Sequence, residues 1–142
     1  MAKLSRLPVL LIPCLLIACA GGARPGGAGV QQAALGEDLT LAVGQRVLVD
    51  GGALEVRFDG VPHDSRCPVD VQCITAGNAV ARLRLAGAGS DAQTVELNTT
   101  VGPKEATHAG YTVRLVALRP EQSSGLRITP GEYRAVLQVT KV

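Results

Sequence analysis

The run Ala79-Val80-Ala81-Arg82-Leu83-Arg84-Leu85-Ala86, a break at Gly87-Ala88-Gly89-Ser90-Asp91, and the run Gln93-Thr94-Val95-Glu96-Leu97-Asn98 decide the fold class. Ala81, Leu83 and Leu85 share one parity and Arg82 and Arg84 the other; Val95 and Leu97 alternate in the same way with Thr94 and Glu96. A period of two puts one set of side chains on a core and the other in water, which is the pattern of a half-buried strand. The glycine-rich break supplies a turn, so the two runs read as neighbouring strands.

The same period extends outward in both directions. Upstream, Leu39, Leu41 and Val43 alternate with Asp38, Thr40 and Ala42, and Leu54, Val56 and Phe58 alternate with Glu55, Arg57 and Asp59. Asp50-Gly51-Gly52 stands between Val47/Val49 and Leu54 and reads as a tight hairpin. Downstream, Tyr111, Val113, Leu115 and Ala117 make one face, and Tyr133, Ala135, Leu137 and Val139 make the last. Pro120 to Gly125 and Pro130-Gly131 punctuate these two runs. About seven short, evenly spaced strands predict an all-β domain over residues 36–142, an antiparallel sandwich or a small barrel. Its core is expected to consist of Leu, Val and Ala. Tyr111 and Tyr133 fall in inward phases, each needing a partner for its hydroxyl.

The first residues carry a different message. Lys3 and Arg6 precede an almost wholly apolar run from Leu7 to Ile17, followed by Ala18-Cys19-Ala20-Gly21-Gly22, the three parts of a secretory signal. A spanning helix needs about 20 apolar residues, and Pro8 and Pro13 disfavour one. Leu16-Ile17-Ala18-Cys19 resembles a bacterial lipobox; Cys14 fits worse because Pro13 sits where a small residue is expected. The resemblance implies that residues 1–18 are removed and that Cys19 receives diacylglycerol and an amide-linked acyl chain such as palmitate, a stable anchor. Ala20 in place of Asp favours the outer membrane, facing the periplasm, in a Gram-negative host. Residues 19–35, rich in Gly, read as a flexible tether.

Removing the signal changes the charge argument. Of 14 Lys and Arg, Lys3 and Arg6 fall in the signal, leaving 12 to balance 12 Asp and Glu. A neutral chain with interspersed signs, no Trp, and only Phe58, Tyr111 and Tyr133 as aromatics offers neither a basic face nor a stacking platform for nucleic acid. With Cys14 in the signal and Cys19 lipidated, Cys67 and Cys73 remain, and an oxidising compartment predicts a disulfide between them. A zinc site would need further ligands; His63 is near in sequence and His108 remote.

Residues 59–80 are the distinctive segment, a long connection with the two cysteines, two prolines and many polar groups. Long ordered loops in compact domains often carry function. Asp64-Ser65-Arg66-Cys67-Pro68, followed by Cys73 and Ala76-Gly77, resembles a motif of small uncharacterised bacterial lipoproteins and exported proteins. With the following strand and the Tyr133-containing C-terminal strand, the resemblance spans most of the domain. It implies a sandwich-like domain behind a lipobox and carries no established activity. The sequence departs from that pattern at Thr75, where relatives often have Trp.

Two readings of this segment stay open. In the first it is a plug at one end of the domain: Asp64 makes an Asx-type turn, Arg66 reaches Asp64 or Asp70 or lies across the sheet edge, and Asn78 satisfies backbone. In the second, Asp64, Ser65, Arg66, Asp70 and Asn78 form a binding loop, stiffened by the disulfide and anchored by Arg66, for another envelope or extracellular protein. Asp59, Asp64 and Asp70 supply oxygen ligands of the type calcium takes, but not at the spacing of a known calcium loop. His63, Asp64 and Ser65 have triad residue types, yet adjacent positions of an extended chain point to alternating sides. No nucleophile elbow, phosphate loop, zinc signature or cofactor motif is present, so the domain is expected not to be an enzyme. His108, in Thr107-His108-Ala109-Gly110, reads as an exposed loop residue. The functional expectation is an envelope lipoprotein with a binding domain; a structural envelope lipoprotein without a specific ligand and a calcium-binding domain are the alternatives.

Overall fold

The computed structural model describes residues 30–142. The expected signal, the expected lipidated Cys19 and most of the expected tether lie outside these residues. Nine strands follow in order: β1 (Gln31–Ala33), β2 (Asp38–Ala42), β3 (Arg46–Val49), β4 (Leu54–Asp64), β5 (Ala79–Gly87), β6 (Gln93–Asn98), β7 (Glu105–His108), β8 (Tyr111–Arg119) and β9 (Arg134–Lys141). They form two sheets, β1-β3-β4-β5-β6 and β2-β9-β8-β7, so the architecture is a sandwich and not a closed barrel. All pairings are antiparallel except β1 with β3. Among the described residues no helix is long and apolar enough to cross a membrane.

The core is the sum of the alternating faces. Val56, Phe58, Leu83, Leu85 and Leu97 of one sheet meet Leu41, Val113, Ala135, Leu137 and Val139 of the other, all fully buried. Burying a Leu, Val or Phe side chain is worth about 1.5–3 kcal/mol, and this repeated term holds the two layers together. The predicted turns stand where the punctuation placed them. Asp50–Gly52 forms a 3-10 turn between β3 and β4, with Gly51 at φ 66° and Gly52 at φ 93°. Pro130–Glu132 forms another just before β9, closed by reciprocal hydrogen bonds between Thr129 and Glu132.

Four details differ from the sequence reading. Gln31–Ala33, assigned to the tether, pairs with Val47–Val49 as β1; a three-residue strand is too short to show alternation. β7, Glu-Ala-Thr-His, escapes detection for the same reason. β4 does not end at Phe58 but runs to Asp64, paired with β5 through Asp64↔Ala79, after register shifts around Gly60. Gly60 has φ 145°, backbone that a residue with a Cβ rarely adopts, which is how the strand absorbs the irregularity. The connection between β4 and β5 therefore shrinks to residues 65–78. Finally, a bulge at Val116 reverses the parity of β8, so Leu118 is buried and Ala117 is not.

Candidate functional site

The bulge in β4 carries Asp64 to the end of its sheet with its carboxylate turned inward, only 6% exposed. Its Oδ1 accepts from the Arg66 backbone N–H at 3.1 Å, completing the expected Asx turn, and from Arg66 Nε at 2.9 Å. Its Oδ2 accepts from Arg66 Nη2 at 2.6 Å, Gln122 Nε2 at 3.0 Å and the Tyr133 hydroxyl at 3.0 Å. Arg66 Nη1 donates to the Leu118 carbonyl of β8 at 2.8 Å. One carboxylate of the first sheet is thus bound, directly or through Arg66, to β8 and to the residue just before β9 in the second. Burial pushes the Asp64 carboxyl up, but the side-chain and backbone hydrogen bonds of Arg66, that of Tyr133 and the Arg66 charge outweigh it and bring it down to about 2. Burial, followed by the hydrogen bond to Asp64, pushes the Tyr133 phenol up.

The rest of the motif fastens the loop to this clamp. Cys67 and Cys73 are disulfide-bonded. Ser65 N–H donates to the Asn78 carbonyl at 2.7 Å and Cys67 N–H to the Ala76 carbonyl at 2.8 Å, so the loop's two arms pair with each other. Gly77, at φ 66°, lies so close to Ser65 that a Cβ would stand 2.7 Å from its carbonyl carbon; the Ala-Gly of the motif is a close-approach requirement. Asn78 Nδ2 donates to Asn98 Oδ1, and Asn78 Oδ1 accepts from the backbone of Thr100 and Val101, tying the loop to the turn after β6. Val69 N–H donates to the Gln122 carbonyl, and the Asp70 carboxylate accepts from the Ser124 backbone and hydroxyl.

Of the five predicted loop residues, Asp64, Ser65, Arg66, Asp70 and Asn78, all five turn their hydrogen-bonding groups toward the protein. Arg66 braces the loop: its side chain is 12% exposed, three of its nitrogens are bonded internally, and it reaches the groove beside β8 from within. The tip carries what the sequence reading missed. Val69 is 68% exposed, Val71 46%, and Ile74 completely, with Thr75 also in solvent. Beside them, between the loop and β8, lies a groove of about 270 Å³ that includes Val69, Lys104, Val116 and Arg119. Gln122 and Ser124, which hold Asp64 and Asp70 from 58 and 54 residues away, left no local signal in the sequence.

The other chemical candidates do not assemble. His63 is exposed, while Asp64 points to Arg66 and Ser65 Oγ to Asn78, so these triad types share no relay. Asp59 pairs with Arg57 at 3.1 Å and Asp70 with Ser124; no group of three or more His, Cys, Asp or Glu suited to a metal ion occurs among the described residues. His108 is not an exposed loop residue but the half-buried end of β7, with Nδ1 3.1 Å from Gln93 Oε1. At the opposite end of the sandwich, the Tyr111 hydroxyl donates to Asp50 at 2.6 Å and Lys141 reaches the same carboxylate at 3.2 Å. Both tyrosines therefore pack inward and satisfy their hydroxyls, as their phases predicted. No family model, curated protein or solved structure matches the chain.

Proposed function

We propose that the chain is a non-enzymatic binding module of the cell envelope, anchored to a membrane through lipidated Cys19, that presents the loop 67–76 to another envelope or extracellular protein. The observation that carries this reading is the contrast within one loop. Its base is braced by the Asp64–Arg66–Tyr133–Gln122 network, while Val69, Val71 and Ile74 face solvent. Exposed apolar side chains gathered on one short segment contribute nothing to the fold and mark contact surfaces. A loop already ordered by a disulfide and internal hydrogen bonds loses little entropy on binding, so its few side chains act at nearly full strength. The position at which the resembling proteins often have Trp, here Thr75, belongs to the same tip.

A photoreactive amino acid at position 74 in intact cells tests this directly. A discrete crosslinked protein is expected, lost when Val71 and Ile74 are both replaced by Ser and the fold is verified by circular dichroism. Capture that is unchanged in the Ser variant, or no capture at all, overturns the loop as a recognition surface. Arg66 and Asp64 are the wrong residues for this purpose, because replacing them unseats the loop. In the same strain, Cys19→Ser should abolish metabolic labelling with palmitate; retained label would overturn the anchor.

A further inference from the structure

We propose that the groove between the stapled loop and β8 takes an extended peptide segment bearing a carboxylate, added as a short strand to the edge of β8. This rests on the chain being a binding module and names the chemistry of what it binds. β7 covers β8 only from Tyr111 to Arg114. Beyond that, Leu115 N–H donates to the Lys104 carbonyl at 2.8 Å and the Leu118 carbonyl accepts Arg66. Between these two bonds stands Val116, which the pairing with β9 skips as the register passes from Leu115↔Leu137 to Ala117↔Val136. Val116 therefore has no ladder partner on either side, inside an interior strand whose residues 115–119 all line the groove.

An uncovered strand edge is a template for another strand, and proteins that do not use such an edge shield it. Here Arg66 caps the edge at Leu118 and the rest of it lies at the floor of a groove of about 270 Å³, with Val69 and Cys67 of the loop on one wall and Thr99 and Lys104 on another. Because Leu115 N–H and the Leu118 carbonyl are already bonded, the open edge is short and accommodates about two to three residues of an incoming chain around Val116 and Ala117. Main-chain hydrogen bonds require that chain to be extended, and alternate side chains meet different surroundings. One parity meets Val69 and Val116, respectively 68% and 48% exposed and suited to an aliphatic residue. Charge selects the rest. Arg119 and Glu121 are paired with each other at 2.5 Å, whereas Lys104 makes no ion pair among the described residues, so the cation left to meet a ligand favours a carboxylate.

The test is fluorescence anisotropy with the full lipidated chain in detergent and three labelled probes. They are acetyl-Thr-Val-Glu-Val-Thr-amide, its Glu-to-Lys analogue, and the Glu peptide N-methylated at both valines. The acidic peptide should bind, with the Lys analogue and the N-methylated peptide weaker by about tenfold or more. Lys104→Glu, a change at an exposed side chain, should reverse the preference between the acidic and basic peptides. Equal binding of all three probes, no binding of the acidic one, or an unaltered preference in Lys104→Glu overturns the proposal. So does a chain that is dimeric without peptide and monomeric as Lys104→Glu, since a second copy then occupies the edge. Failure here with a crosslink retained at position 74 removes the groove and leaves the loop tip as the recognition surface. Selective peptide binding without that crosslink does the opposite.

Discussion

Asp64 concentrates the electrostatics of the loop end of the sandwich in one side chain. Its carboxyl is held at about 2 against an ordinary 3.8, so the folded state binds its proton less readily than the unfolded chain does. A depressed folded value means that the stabilisation is complete above about pH 4 and disappears as pH falls toward 2. After allowing for solvent screening, its size is on the order of 1 kcal/mol. Asp64→Asn should therefore unfold more easily at pH 7, and its stability should fall less steeply than the wild type's between pH 4 and pH 2. Urea midpoints at several pH values check this, and parallel curves would contradict it. The residue was legible in the sequence as an Asx turn beside an arginine. Its other partners were not, because Gln122 and Tyr133 are 58 and 69 residues away and no local pattern brings them near.

The strands show which local signals survive folding. Long runs with one buried parity, such as Ala79–Gly87, kept their predicted phase because shifting a strand by one residue would turn its whole apolar set to water. β8 shows the exception: Val116 bulges out, and Leu118 replaces Ala117 on the core. The larger side chain gains more from burial, so packing against the other sheet decides the phase there. The loop is the second element with a testable energetic role. A ring closed between residues 67 and 73 stabilises through chain entropy by roughly 2 kcal/mol, a small part of what the core supplies. Replacing Cys67 and Cys73 together with Ser should lower the melting temperature by several degrees while preserving the far-ultraviolet dichroism of the sandwich. The crosslink at position 74 should weaken more than stability does, because the tip loses its preorganisation. Loss of the β-sheet spectrum would instead make the disulfide a requirement of the fold.

At the scale of the molecule, a core with one phenylalanine and no tryptophan places unusual weight on Phe58, the largest fully buried side chain. It pairs opposite Leu83 on β5, next to the register shift that carries β4 toward Asp64. Phe58→Ala should cost about 4 kcal/mol, a large share of the 5–15 typical of a domain. Denaturant unfolding should show a lower midpoint with an unchanged slope; a shift of less than about 1 kcal/mol would mean that the sheets close over the cavity. By itself the sequence determined the all-β class, most strand positions, the buried faces, the hairpin at Asp50–Gly52 and the pairing of Cys67 with Cys73. These depend on neighbours in the chain, on side-chain parity and on two cysteines standing six residues apart. Only the tertiary structure decided the strand order, the inward turn of Arg66, the exposure of Val69, Val71 and Ile74, and the groove beside Val116. Each of those depends on which distant segments meet at the end of the sandwich, where alternation stops and packing between the two sheets determines which side chains are covered.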